Sequence, residues 1–249
     1  MSLFGIVGEL GSGKTLTLSY LALKNWLIKG RIIYSNYHLY HIPYFEITTV
    51  RQLDIMIEGV FVADEFWVNV DARTSTKSRN RIVSDIARRS RKRNLEYIYT
   101  SQTLDQIDKR IRKIQDFTGY PILSGDDSIC KVVVFRSGYP KVSKYLHTFY
   151  YRTAFIFDVF DTNEEVFPLE DDYKSGRDLE IKIVYYKEKP KKGEYIEPLT
   201  KVFYYDYEWI KDYIIKYRQL PNEILNAWKE VDKIAFENMR KLAKKRTLW

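Results

Sequence analysis

Gly8-Glu9-Leu10-Gly11-Ser12-Gly13-Lys14-Thr15 constrains the fold of this chain more than any other stretch. It fills every fixed position of the pattern G-x-x-x-x-G-K-[ST], whose glycines let several backbone N–H groups converge on one anion. The flanks suit the motif. Leu3 to Val7 is an apolar run of strand length, and Thr15 to Leu27 carries Leu16, Leu18, Leu21, Ala22, Leu23, Trp26 and Leu27, as a buried helix would. A strand, a glycine loop and a helix N-terminus form a phosphate cradle, where unpaired N–H groups and the helix dipole favour negative charge. Gly8, Glu9, Leu10, Gly11, Ser12, Gly13, Lys14, Thr15 and Leu16 are therefore expected to bind the phosphates of a nucleoside triphosphate, ATP by default. Lys14 would face the β- and γ-phosphates, and the Thr15 hydroxyl would help hold Mg2+.

Further apolar runs follow the helix: Arg31 to Asn36, Val60 to Glu65 and Tyr97 to Gln102 read as strands, with Arg79 to Lys92 as a helix between the last two. Strand–helix alternation with apolar strands predicts an α/β fold, a mostly parallel sheet flanked by helices. Ligands of such sheets bind beyond the carboxyl ends of the strands, which is where Gly8, Asp64, Glu65 and Gln102 fall. Asp64 is expected to hold Mg2+ together with Thr15. Glu65 would polarise a water for attack on the γ-phosphate, and Gln102 would sense that phosphate or orient the water. A kinase has less need of Glu65, so the pair favours hydrolysis.

The most basic stretch lies between these strands. From Arg73 to Arg93 there are nine Lys or Arg against one acid, Asp85, in a chain of net charge +8. A solvated helix face normally mixes signs. An anion is expected here, either DNA phosphate or the triphosphate of a neighbouring subunit reached by an arginine. The bland alternative pairs these bases with acids elsewhere, such as Glu170, Asp171 and Asp172.

From Lys131 the pattern changes. Lys131 to Arg136, Leu146 to Tyr151 and Ala154 to Phe160 read as strands with short turns. Residues 186–200 have the composition of a linker. Tyr207 to Tyr217 and Pro221 to Arg246 read as helices, the latter ending in five bases. The expected organisation is an ATPase domain over 1–185, a linker over 186–200 and a helical C-terminal appendage over 201–249. The single cysteine, Cys130, allows no internal disulfide and no cysteine-rich zinc site. No stretch reaches the roughly 18 apolar residues of a membrane span, and the first strand leaves no room for a leader ahead of the loop. A cytoplasmic protein is expected.

Ile86-Ala87-Arg88-Arg89-Ser90-Arg91-Lys92-Arg93-Asn94, followed by a strand ending in Gln102, resembles the FtsK/HerA superfamily of DNA-pumping P-loop ATPases. Residues 105–112 and 157–164 look like its zonula-occludens-toxin-like branch and the genome-packaging ATPases of archaeal viruses. The resemblance covers roughly residues 2–165 and implies a RecA-like domain in a homo-oligomeric ring, usually a hexamer, around double-stranded DNA. By position it makes Lys14 and Thr15 the phosphate-loop pair, Asp64 the magnesium ligand, Glu65 the activator of water and Gln102 the sensor. Arg91, with Arg88 as second choice, would be the finger reaching a neighbour's ATP. Asn94 stands where the family often has glycine. The toxin-like relatives carry a transmembrane segment that this chain lacks, which favours packaging in the host cytoplasm, with a capsid protein as a further partner. The expected activity is that of a Mg-dependent ATPase that translocates double-stranded DNA. The rivals are a nucleotide-gated DNA-binding switch resembling a replication initiator, a kinase, and a morphogenesis factor without DNA contact.

Overall fold

The apolar run at the start becomes β1 (Leu3–Val7), an interior strand of a sheet that orders the rest of the chain. The computed structural model describes residues 2–66, 90–137, 143–172, 176, 178–191 and 193–246. After β1 come α1 (Lys14–Lys29), β2 (Ile32–Ser35), β3 (Tyr44–Glu46), α2 (Val50–Ile55), β4 (Gly59–Ala63), β5 (Glu96–Ser101) and α3 (Lys109–Ile114). Then follow β6 (Phe117–Leu123), β7 (Ile129–Arg136), β8 (Lys144–Arg152), β9 (Leu179–Tyr185), β10 (Leu199–Tyr205), α4 (Tyr207–Tyr217) and α5 (Asn222–Arg246).

The strands form one sheet in the order β10-β9-β3-β2-β4-β5-β1-β6-β7-β8. The six central strands, β3 to β6 in that order, run parallel. Antiparallel hairpins extend both ends: β9 and β10 beyond β3, and β7 and β8 beyond β6. The protein is thus an α/β fold with a mostly parallel central sheet flanked by helices. β5 lies between β1 and β4, so the strand ending beside Gln102 separates the phosphate loop from the acid pair.

α1 covers β1, β4 and β5 with Leu16, Leu18, Ala22, Leu23 and Trp26, all buried. It ends at Gly30, whose left-handed backbone lets its own N–H reach the Trp26 carbonyl at 3.0 Å and the Arg31 N–H reach the Asn25 carbonyl at 3.1 Å. α2 opens on a reciprocal cap: the Thr49 hydroxyl accepts from the Gln52 N–H, and the Gln52 carboxamide accepts from the Thr49 N–H at 2.9 Å.

The C-terminal residues join the same core. β10 pairs with β9 along its whole length, so the segment from 201 begins as strand before it turns helical. Residues 186–198 connect these two strands, so the expected linker ends inside β10. On α5, Trp228 stacks on Phe45 of β3 at 5.1 Å, and Asp232 accepts from the Trp26 indole N–H at 2.6 Å. On α4, the Tyr207 hydroxyl donates to the buried Asp54 of α2 at 2.9 Å.

Two local expectations change. Residues 154–160, expected as a strand, contain a 3-10 turn at Ile156–Asp158. Its buried residues Ile156, Val159 and Phe160 recur at helical spacing, which overrides the apolar run. Most of the helix expected over Arg79 to Lys92 lies outside the described residues; its end is a 3-10 turn, Ser90–Arg93. Among the described residues no helix is long and apolar enough to cross a membrane.

Candidate nucleotide-binding site

The loop after β1 is shaped by two glycines. Gly13, at φ 92°, holds a left-handed conformation at the entrance to α1. At Gly8 a Cβ would lie 2.5 Å from Ser12 Oγ, so the close approach of loop to loop requires its absence. The Ser12 N–H donates to the Glu9 carbonyl at 3.2 Å, and the Thr17 N–H closes the first helical bond to the Gly13 carbonyl at 2.9 Å. Gly8 donates to the Ser101 carbonyl at 3.4 Å, which ties the loop to the end of β5, one residue before Gln102. Leu10 projects into solvent, 82% exposed, on the outer side of the loop.

Below this loop lies a buried triad. The Thr17 hydroxyl is 2.9 Å from the Tyr151 hydroxyl, and Cys130 Sγ sits 3.7 Å from the same Thr17 oxygen. These residues connect the floor of the cradle to β7 and β8.

Two features fit a phosphate. Ser12 Oγ is buried without a hydrogen-bond partner among the described residues, a donor that an anionic oxygen would satisfy. Lys14 Nζ donates to the Glu9 carbonyl at 2.8 Å, folded over its own loop. Burial pushes its ammonium below the usual lysine range, partly offset by the charges of Asp64 and Glu65.

The acids arrive from β4. Asp64 and Glu65 occupy the turn just beyond its last residue, Ala63. Asp64 accepts from the Thr15 hydroxyl at 2.9 Å on one carboxylate oxygen and from the Thr100 hydroxyl at 2.5 Å on the other. Its backbone is held by Asn36 at the end of β2. The Asp64 N–H donates to Asn36 Oδ1 at 2.8 Å, and Asn36 Nδ2 donates to the Asp64 carbonyl at 3.0 Å. Burial raises the Asp64 carboxyl above the usual range, against the pull of Thr100, Thr15 and Lys14.

Glu65 has φ 45°, in the left-handed region that non-glycine residues rarely adopt. Its N–H donates to Thr100 Oγ1 at 2.8 Å, which helps hold that conformation. Its carboxyl is raised by burial and by the adjacent Asp64, with Lys14 opposing. Residues in sparsely populated backbone regions cost roughly 1–3 kcal/mol and cluster where geometry is tied to function.

The site therefore brings together Lys14, Thr15, Asp64 and Glu65. Gln102, half-buried, follows β5 in the same rim. Arg88 and the side chain of Arg91 lie outside the described residues. Arg93 leaves the basic set available to an outside anion. It is buried, and its guanidinium donates to the Asp54 carbonyl and, at 3.2 Å, to the Asp54 carboxylate. Asn94, at φ 53°, adopts the left-handed conformation that glycine would otherwise supply; asparagine tolerates it. Asp172, considered above as a partner for the basic stretch, pairs instead with Arg51 at 2.9 Å.

Thr100 and Asn36 are the residues that the sequence reading passed over. Each left a signal. Thr100 interrupts the apolar run of β5 two residues before Gln102, and Asn36 ends β2, which pairs directly with β4.

A parallel sheet in which an interior strand opens into a glycine loop, with a lysine and a threonine facing a buried aspartate, defines a phosphate-loop α/β protein. No protein-family model matches the chain, and no curated protein matches it. Similar solved structures include the N-terminal domain of zonular occludens toxin from Neisseria meningitidis, 14% identical, with 64% of this chain and 98% of that one covered at a TM-score of 0.45. The genome packaging NTPase B204 from Sulfolobus turreted icosahedral virus 2, in complex with AMP, is 10% identical, with 59% and 96% covered at a TM-score of 0.41. The same NTPase in complex with ATP-gammaS is 9% identical, with 59% and 97% covered at a TM-score of 0.41.

Proposed function

We propose that this chain is a Mg-dependent ATPase that moves double-stranded DNA, as a motor packaging a viral genome does. The observation that carries the reading is the meeting of the two halves of the site: the Thr15 hydroxyl donates to Asp64 at 2.9 Å, with Lys14 and Glu65 beside them. Thr15 and Asp64 offer the hard oxygen ligands that Mg2+ prefers. Among the described residues no group of three or more His, Cys, Asp or Glu could hold a metal alone. When bound, Mg2+ would neutralise charge on the transferring phosphoryl group.

The chain's own residues would do the rest. The loop of residues 8–16 would hold the phosphates through its unpaired N–H groups, and Lys14 would turn from the Glu9 carbonyl to the γ-phosphate. Glu65 would take the proton of a water whose oxygen attacks the γ-phosphorus as the bond to the β–γ bridging oxygen breaks. Gln102 would orient that water. Arg91 of a neighbouring copy, or Arg88, would complete the site in a homo-oligomeric ring, a hexamer by the sequence resemblance. The basic stretch supports duplex binding through the phosphate backbone. The C-terminal helices would offer a capsid protein or a neighbouring copy a docking surface.

The deciding measurement is the ATPase rate with and without duplex DNA, alongside the mass in nucleotide. DNA-stimulated turnover by an oligomer is expected. Stoichiometric binding without turnover would favour the nucleotide-gated switch, and phosphate transfer to an acceptor without DNA would favour a kinase.

A further inference from the structure

We propose that the outer face of the β6–β8 wing binds single-stranded nucleic acid by stacking bases on exposed tyrosines. The inner face of this wing, with Cys130, Val132, Val134 and Tyr151, is buried, and Tyr151 stacks on Tyr20 of α1 at 4.1 Å. The cross-strand register then fixes what points the other way. Ile122, Lys131 and Tyr150 stand side by side across three strands, and Tyr120, Val133 and Thr148 form the next row. Beyond a bulge at Val134/Phe135, Phe135 pairs with Tyr145. Tyr145 and Tyr150 are each 62% exposed, and Ile122 is 53% exposed. Edge-to-face contacts of Phe135 with Tyr120 at 5.7 Å and with Tyr145 at 6.1 Å hold the rings in a fixed array. An exposed apolar patch of this kind marks an interaction site.

Charge selects the occupant. By the same register Lys131 and Arg152 stand on this outer face and Arg136 and Lys144 on the opposite one, and the three strands contain no acid. The acids nearest in the chain, Asp126 and Asp127, sit in the β6–β7 turn, and Asp126 is tied to Ser124 and Ser128 at 2.6 and 2.7 Å. A second copy meeting this face by two-fold symmetry would oppose the same bases to one another. A polyanion carrying flat apolar groups satisfies both features. Unpaired bases expose their π-faces, whereas a duplex hides them, so the ligand class is single-stranded. This surface is separate from the nucleotide cradle, and the proposal stands without the ATPase reading.

The test uses the full chain and a fluorescently labelled oligothymidylate, read by anisotropy. Y145A and Y150A should each weaken binding roughly 5- to 100-fold, from the typical worth of one stacked base. Y150L, which keeps the strand apolar, should lose as much as Y150A while leaving the melting temperature unchanged. An abasic oligomer of equal length should bind far more weakly, and K131Q should reduce the salt slope by about one. K14A should bind the oligothymidylate as the parent does; loss there would assign the binding to the nucleotide cradle and overturn the proposal. Parental affinity in the Y145A/Y150A double variant, or equal binding of the abasic oligomer, would overturn it too. So would a fall in oligomer mass in the double variant with oligonucleotide binding intact, since the face would then join copies of the chain.

Discussion

The hydroxyl of Thr100 donates to the carboxylate of Asp64 at 2.5 Å. The same oxygen accepts from the Glu65 N–H, so one side chain on β5 fixes both acids that follow β4. Thr100→Val keeps the shape and removes both bonds. Turnover is expected to fall about 10–100-fold, the usual effect of losing a group that orients a ligand or base. Binding of an ATP analogue should be nearly preserved. A parental rate in a folded T100V protein would remove Thr100 from the site.

Asp64 stores a conflict between stability and function. Its folded carboxyl titrates above the unfolded value of about 3.9, because burial disfavours the charge. The contribution to stability is therefore largest below the unfolded value and is lost as pH rises through the raised folded one. At neutral pH the ionised group is a net cost. Asp64→Asn should raise the melting temperature by a few degrees, about 2–4 °C per kcal/mol for a chain of this size, while abolishing turnover. A lowered melting temperature at pH 7, with no gain over the parent as pH rises from 4, would refute this account.

Lys14 predicts a pH dependence of nucleotide binding. Its ammonium sits below the usual range because it is buried. A bound triphosphate favours the charged form, so binding takes up a proton once the pH exceeds the depressed value. Affinity for an ATP analogue, measured calorimetrically from pH 7 to 10, should fall across the upper part of that range. Lys14→Arg, whose guanidinium stays charged, should bind with a flat profile.

Asp54 is the anchor between the segment entering β5 and the C-terminal helices. It accepts from Arg93 and from the Tyr207 hydroxyl, and it is almost fully buried. Asp54→Ala leaves the buried guanidinium its bond to the residue 54 carbonyl but removes its countercharge, and should destabilise the fold by about 3–5 kcal/mol. Tyr207→Phe removes one neutral donor and should lose only about 1 kcal/mol. Chemical denaturation of both variants checks the ranking; equal losses would mean that Arg93 is compensated elsewhere.

Trp228 tests whether α5 belongs to the same cooperative unit as the sheet. Stacked on Phe45 and largely buried, it should lose roughly 3–5 kcal/mol on change to alanine, in a single unfolding transition. Two transitions, with the sheet unaffected, would instead support the division at residues 186–200.

The parallel core was legible because its signals are local: apolar runs of strand length, a filled loop motif and acids at a strand end. Lys131 to Arg136 and Leu146 to Tyr151 were legible too, as β7 and β8, whereas β3, β6, β9 and β10 were not. β6 contains Gly119 and Pro121, both of which argue against a strand, yet it pairs with β1 and β7. β3 is three residues long and follows a tyrosine-rich loop, so no periodicity marks it. At the site, Lys14, Thr15, Asp64 and Glu65 could be read from type and spacing. Thr100 and Asn36 could not, because their roles depend on which strands lie side by side. Arg93 misled for a related reason: a basic run in sequence says nothing of which member turns inward.

The place of β1 in the sheet has a consequence for how the protein is made. Leu3 pairs with Tyr97 on one side, and Phe4 with Phe117 on the other. On a nascent chain the phosphate loop leaves the ribosome well before both strands that brace it, β5 and β6. Until then the apolar edges of β1 have no partner, and non-local parallel pairing is slow. The loop thus acquires its bracing only after the strands that follow it far along the chain have been made.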